Sequence, residues 1–225
     1  DITSFTRVFL YEIIKGLYSS DCEFLIGYTE PQEYVEPLPT GINKIIISPS
    51  FSGKPRPNQK SVLLLFLGWE TGRTSGLYEE YNPDECIPVL GKNPIDKKHI
   101  IWSYQSYKNN EKLIDYLDNM QDTSTLDLKE IFNFIFKIHQ KTIEENKVSN
   151  TKFYFVIGGL GPKIQNVAAC FYAILNNEVQ LIYGTPAYWG SSNVLPLETP
   201  VESKGIGRTY LYGPFDKNSI KNFQN

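Results

Sequence analysis

The sequence predicts one α/β domain with a mostly parallel sheet, helices on both of its faces and a helical insertion around residues 109–150. Three observations carry this. Ser61 to Leu67 is almost wholly apolar and of strand length, as expected for a strand buried on both faces, and it runs into the Gly-punctuated turn Gly68 to Thr74. Lys152 to Ile157 repeats that order, ending in Gly158-Gly159-Leu160-Gly161-Pro162-Lys163 ahead of a helix of small residues. Between the two, Leu128, Ile131, Phe132, Ile135, Ile138 and Ile143 recur at helical spacing.

Taken in order, Val8, Phe9, Leu10, Ile13, Ile14, Leu17 and Tyr18 mark a first helix, with Ser4 or Thr6 to cap it. Glu23 to Tyr28 and Lys44 to Ile47 read as strands, the second followed by a loop from Ser48 to Gln59 that carries three prolines. After the strand at 61–67, Ser75 to Tyr81 is helical, Asn82-Pro83 stops it, and Glu85 to Leu90 is the next strand. Pro88 argues against a central position for that strand. The polar segment 109–150 holds an amphipathic helix from about Leu126 to Glu145, and Asp127 with Glu130 makes a capping-box start. Its polar face is of mixed charge, which fits packing on the sheet rather than on a membrane. Val167 to Leu175 is a helix, Val179 to Tyr183 a strand, and Gly205 to Gly213 a short strand after a glycine loop.

The 225 residues suit a single domain, 41% of them hydrophobic and therefore enough for a sizeable core. With 21% charged residues and a net charge of -3, the chain is neither a disordered acidic tail nor a basic coat for nucleic acid, so no direct duplex binding is expected. No apolar run approaches the roughly 20 residues of a membrane helix. Position 1 is Asp rather than Met, so a preceding segment is expected. Cys22, Cys86 and Cys170 are widely spaced and odd in number, which speaks against a disulfide scaffold and for a reducing, cytoplasmic setting. His99 and His139 have no partner at ligand spacing, so no metal or cofactor is expected, and His139 reads as a structural residue of its helix.

The first and last units, 1–34 and 157–189, share a pattern. A cation at a helix entrance (Arg7, Lys163) precedes a strand ending in Tyr-x-x-Pro (Tyr28 to Pro31, Tyr183 to Pro186), with a further tyrosine beyond (Tyr34, Tyr188). Turns rich in Gly, Ser and Thr ahead of a helix are anion cradles, because the first helical N–H groups lack internal partners. In parallel sheets such turns gather at the carboxyl ends of the strands. The candidate ligand residues are therefore Thr3, Ser4, Thr6 and Arg7, then Gly68, Glu70 and Arg73, then Gly158, Gly159, Gly161 and Lys163, with Tyr28 and Tyr183 at strand exits. Tyr34, Tyr188 and Trp189 are further flat surfaces for a base. Arg73 and Arg208 share a Gly-x₀₋₁-Arg-Thr setting, and Arg208 reads as a structural or interface residue. Gly158 to Lys163 lacks the G-x-G-x-x-G spacing of a dinucleotide fingerprint, and Gly68 to Thr74 is one residue short of a P-loop, with Arg where Lys belongs.

The strand running into Gly-Gly-Leu-Gly-Pro-Lys, the small-residue helix and the strand Val-Gln-Leu-Ile-Tyr, together residues 153–184, resemble the CARF-type (CRISPR-associated Rossmann fold) domains. Leu160, Gly161 and Pro162 stand where hydroxyl-bearing residues are common in that family, while Lys163 carries over. The resemblance implies a Rossmann-like sensor domain for a nucleotide second messenger, such as a cyclic oligonucleotide, in prokaryotic antiviral defence, as a homodimer or with a protein partner.

The leading expectation is such a ligand-binding regulatory domain, with Lys163, Arg7 and Arg73 taking phosphates, Thr3, Ser4 and Thr6 donating hydrogen bonds, and Tyr28 and Tyr183 stacking or shaping the pocket. One alternative is a nucleotide or phosphoester hydrolase, with Glu70 or Glu30 as acid or base and Arg73 steadying developing charge. The other is a non-catalytic scaffold subunit of a defence complex, using its many Tyr and Trp side chains as an interface.

Overall fold

The computed structural model describes residues 1–3, 5–34, 41–68, 71–92, 98–108, 111–187 and 203–224. The elements are α1 (Arg7–Ser19), β1 (Phe24–Tyr34), β2 (Ile42–Ser52), β3 (Lys60–Phe66), α2 (Thr71–Tyr81), β4 (Glu85–Lys92), α3 (Lys98–Lys108) and α4 (Glu111–Ile114). They continue with β5 (Gln121–Ser124), α5 (Leu128–Val148), β6 (Phe153–Gly159), α6 (Lys163–Leu175), β7 (Gln180–Pro186), β8 (Ser203–Phe215) and α7 (Lys217–Lys221).

Six strands form the main sheet in the order β2-β7-β6-β3-β4-β5. All neighbours are parallel except β2, which runs antiparallel to β7. This is a Rossmann-like α/β arrangement. The apolar run of Ser61 to Leu67 is buried throughout, because β3 lies in the middle of the sheet and both of its faces are covered. Val62, Leu64 and Phe66 face a core shared with α1, α5 and α6, whereas Leu63, Leu65 and Leu67 face Leu77 and Tyr78 of α2 and Tyr107 of α3. Among the described residues, no helix is long and apolar enough to cross a membrane.

From β3 the chain passes through α2 to β4 on one side, and from β5 it returns through α5 to β6 on the other side of β3, then through α6 to β7. The connections thus diverge at β3 and β6, which puts the switch point of the sheet over the carboxyl ends of these two strands.

Helix α6 is apolar on nearly all sides, and Lys163 to Ala173 are all buried. Its small residues Ala168, Ala169 and Cys170 let the sheet, α1 and α5 approach closely. Asp127 caps α5 by accepting the Glu130 N–H at 2.9 Å, as the capping-box pattern predicts, but the Glu130 side chain reaches back to the Ser124 N–H at 3.2 Å and to Lys92 at 2.9 Å.

Four differences from the sequence reading have physical causes. The strand of the first unit does not enter the main sheet: β1 pairs antiparallel with β8 in a separate two-stranded ribbon, and β8 spans 13 residues where a short strand was expected. Segment 109–150 is not purely helical, since the polar stretch Gln121–Ser124 pairs with Val89–Lys92 as the sheet's edge. Helix α2 begins at Thr71, inside the predicted turn, so Arg73 lies in its first turn. Strand β2 extends to Ser52, through the start of the predicted loop.

Pro88 does sit within β4, opposite Leu65 of β3. The Val89 carbonyl points to β3, accepting the Leu67 N–H at 2.9 Å, so the Pro88 backbone points the other way, where β5 pairs only from Val89 onward.

The open edge of the sheet at β2 is blunted by two carboxylates. Glu12 accepts the Ser50 N–H at 3.1 Å and the Ser48 hydroxyl at 2.6 Å, and Glu80 accepts the Ile45 N–H at 3.4 Å.

A candidate anion site at the carboxyl edge of the sheet

The three predicted loops do meet. The turn after β3 packs on the turn after β6 so closely that a Cβ at Gly68 would lie 2.8 Å from the Leu160 carbonyl oxygen. From α1, the Arg7 guanidinium donates to the Gly161 carbonyl at 3.1 Å and the Leu160 carbonyl at 3.4 Å. Lys163, the first residue of α6, donates from Nζ to the Thr3 carbonyl. From α2, Arg73 donates to the Tyr183 hydroxyl at 2.6 Å and to the Gly184 carbonyl at 3.0 Å.

Tyr183 is the hinge of this cluster. Its ring centroid lies 5.5 Å from the guanidinium carbon of Arg7 and 5.2 Å from that of Arg73, within the range of cation–π attraction. The side chain is 2% exposed, so it shapes the site from beneath rather than offering a free stacking face.

The helix ends here break an ordinary electrostatic preference. The positive end of a helix dipole favours acidic residues in the first turn. Yet α1, α2 and α6 have none there, and they carry Arg7, Arg73 and Lys163 instead. Helix α5, whose start lies at the end of β5, follows the preference with Asp127 and Glu130.

The glycines of the turn after β6 are used in a way the sequence reading missed. A Cβ at Gly159 would fall 2.0 Å from Asn166 Oδ1 and 2.4 Å from the Tyr11 hydroxyl, and one at Gly161 would fall 2.1 Å from Gln165 Oε1. The backbone is therefore approached by side chains of the protein itself. Asn166 donates to the carbonyls of Gly161 and Pro162 at 3.1 and 3.0 Å and accepts the Tyr11 hydroxyl at 2.5 Å. Gly158 faces the other way, against Leu63, Leu65 and Leu77. The signal that could have revealed Gln165 and Asn166 is two adjacent amides at the head of a helix otherwise apolar enough to be buried.

The remaining predicted residues are placed as follows. Thr3 is tied to β1, its hydroxyl accepting the Thr29 N–H at 2.9 Å. Thr6 is the N-cap residue of α1 but makes no side-chain cap bond. Tyr28 is buried on the inner face of the ribbon between Ile26 and Glu30. Arg208 is exposed on β8. Ser4, Glu70, Tyr188 and Trp189 lie outside the described residues, and of Tyr34 only the backbone is described.

Glu30, named with Glu70 as a possible acid or base, is 2% exposed. Burial pushes its carboxyl up to about 7, against the lowering effect of the hydrogen bond from Tyr28. His139 is structural as predicted: its ring stacks on Phe155 with centroids 4.7 Å apart, and its Nδ1 lies 2.9 Å from the Tyr172 hydroxyl. Burial lowers it to about 4. Among the described residues no group of His, Cys, Asp and Glu is arranged to hold a metal ion.

The fold is that of a Rossmann-like α/β domain, with Arg7, Arg73 and Lys163 beside the switch point of its sheet. Compared with family models and with curated proteins, the chain matches none of them.

Proposed function

We propose that this chain is a ligand-binding regulatory domain whose carboxyl edge takes a phosphorylated nucleotide, cyclic oligonucleotides included, and passes the bound state to a partner. The observation that carries this is the convergence of three helix starts, each bearing a cation in its first turn, on the turn after β6 and on Tyr183. An anion at this place would meet the unpaired N–H groups of the helix starts together with these side chains. The similarity of residues 153–184 to CARF-type turns supports a nucleotide as the anion's carrier and prokaryotic defence as the setting.

The test is thermal unfolding of the full chain with pyrophosphate, nucleoside mono- and diphosphates and cyclic oligonucleotides. A ligand at 100 times its Kd stabilises by about 2.7 kcal/mol. Lys163→Ala and Arg7→Ala, checked for folding, are expected to lose that gain. Stabilisation by none of these compounds would sink the proposal.

A further inference from the structure

Of the three helix starts at this edge, one is built differently. At α6 the N-cap is Pro162, which has no N–H to offer, and the turn before it is filled by the protein's own Gln165 and Asn166 side chains. At the start of α1, among the described residues, no hydroxyl or amide is buried without a partner. Helix α2 has one. Thr74, its fourth residue, is 0% exposed, and its Oγ1 has no hydrogen-bond partner. A threonine within a helix can turn its hydroxyl onto a carbonyl three or four residues back, and this one does not. Native structures leave few buried polar groups unmet without a reason.

Packing fixes where that hydroxyl lies. The residues of α2 meet the sheet in strand order: Gly76 against Ile42 of β2, then Leu77 over Gly184 of β7 and Gly158 of β6. Tyr78 turns away from β2, its ring centroid 6.1 Å from that of Tyr116. Thr74 stands one turn before Leu77 and Tyr78 and on the face they share. It is therefore on the β3 side of the helix, at the end that adjoins the switch point. Helical side chains tilt towards the N-terminus, so the hydroxyl is carried back over the first turn. The first N–H groups, that of Gly72 among them, have no acceptor within the helix. Gly72 is partly exposed and has no side chain to hold an anion off, and the first turn has no acidic residue.

We propose that the start of α2 is the seat of the phosphate, held by the first-turn N–H groups with the Thr74 hydroxyl as a side-chain donor. A threonine in a helix has two χ1 positions open to it, and the turn from one to the other re-aims the hydroxyl at an oxygen entering past Gly72. A phosphate oxygen makes that hydrogen bond charge-assisted. This rests on the phosphate-binding reading above and names which of the three helix starts takes the anion.

Isothermal titration of the full chain with pyrophosphate, AMP and the cyclic dinucleotide of adenosine, in the wild type, Thr74→Val and Thr74→Ser, tests it. Valine keeps the shape and loses the hydroxyl, and is expected to weaken the ligands that bind the wild type about tenfold, while serine stays within about threefold. Without ligand, Thr74→Val is expected to unfold at or above the wild-type temperature, because the hydroxyl it removes has no partner to lose. Wild-type affinity in Thr74→Val, or a clear fall in its unfolding temperature, overturns the assignment to α2. Loss of binding by Lys163→Ala and Arg7→Ala in that case leaves the phosphate-binding reading standing. Absence of binding by every compound in the wild type overturns both.

Discussion

The Tyr11 hydroxyl donates to Asn166 Oδ1 across 2.5 Å, joining α1 to α6 where Gly159 leaves room for neither to be displaced by a side chain of its own. Asn166 also holds the carbonyls of Gly161 and Pro162, so one buried amide keeps the whole turn after β6 in shape. Asn166→Ala strands the buried Tyr11 hydroxyl and takes one donor each from the Gly161 and Pro162 carbonyls, and should cost about 2–3 kcal/mol in urea unfolding. Tyr11→Phe should cost about 1–2 kcal/mol, and the double variant should be less damaged than the sum. Strict additivity would show that the pair is not coupled.

Tyr183 bridges two cations by ring and hydroxyl together. Tyr183→Phe keeps the ring beside Arg7 and Arg73 and loses only the bond to Arg73, an expected loss of about 1–2 kcal/mol. Tyr183→Ala also empties a buried ring site and should cost about 3–5 kcal/mol. Arg73→Lys loses the flat guanidinium that lies beside the Tyr183 ring while its Nη2 holds the hydroxyl and the Gly184 carbonyl, and should resemble Tyr183→Phe or be worse. Denaturant midpoints for the three variants check the order.

Glu30 and His139 should give stability opposite slopes against pH. The raised Glu30 carboxyl holds its proton in the folded state up to about 7, while the unfolded chain releases it near 4.5, so its contribution is full below 4.5 and falls as pH rises towards 7. His139 stays neutral in the folded state down to about 4, whereas the unfolded chain takes up a proton below about 6.5, so its contribution is full above that pH and falls as pH drops towards 4. The two largely offset each other between about 4.5 and 6.5 in the wild type. Glu30→Gln should expose a stability that climbs with pH there, and His139→Gln one that declines. Matching slopes in the two variants would contradict the assignment.

At the β2 edge, partial burial of Glu12 opposes its ionisation, but hydrogen bonds from Ser48 and Ser50 outweigh burial and hold its carboxyl below the ordinary range. Its stabilising effect is present above the unfolded value near 4.5 and is lost as pH falls through the lowered folded value. Glu12→Ala uncovers the edge beside Ile45, Ile46 and Ile47. Light scattering on warming should then show earlier aggregation than in the wild type, with no such change for substitution of the exposed Glu79.

Features set by short stretches of chain were legible. Ser61 to Leu67 announced a doubly covered strand, Asp127 announced the start of α5, and His139 sat on an apolar stripe that needed no metal to explain it. Arg7, Arg73 and Lys163 were also picked out, because a cation beside a glycine or hydroxyl turn stands out in the sequence. Less legible were strand β5, whose four residues are polar and depend on pairing with β4, and the partner of β1, which lies about 180 residues away on β8.

By itself, then, the sequence determined the α/β class, most of the helices and the cations at three helix entrances, since these follow from local periodicity, caps and charge. Tertiary structure alone decided that Tyr28 and Tyr183 point inward, that Asn166, Gln165 and Tyr11 close on the glycine turn, and that Glu30 lies buried beneath a separate ribbon. The physical reason is range. A strand's pattern says which residues share a face, but only the packing of elements far apart in the chain says what that face meets, and with it whether a carboxyl or a ring ends in water or in the core.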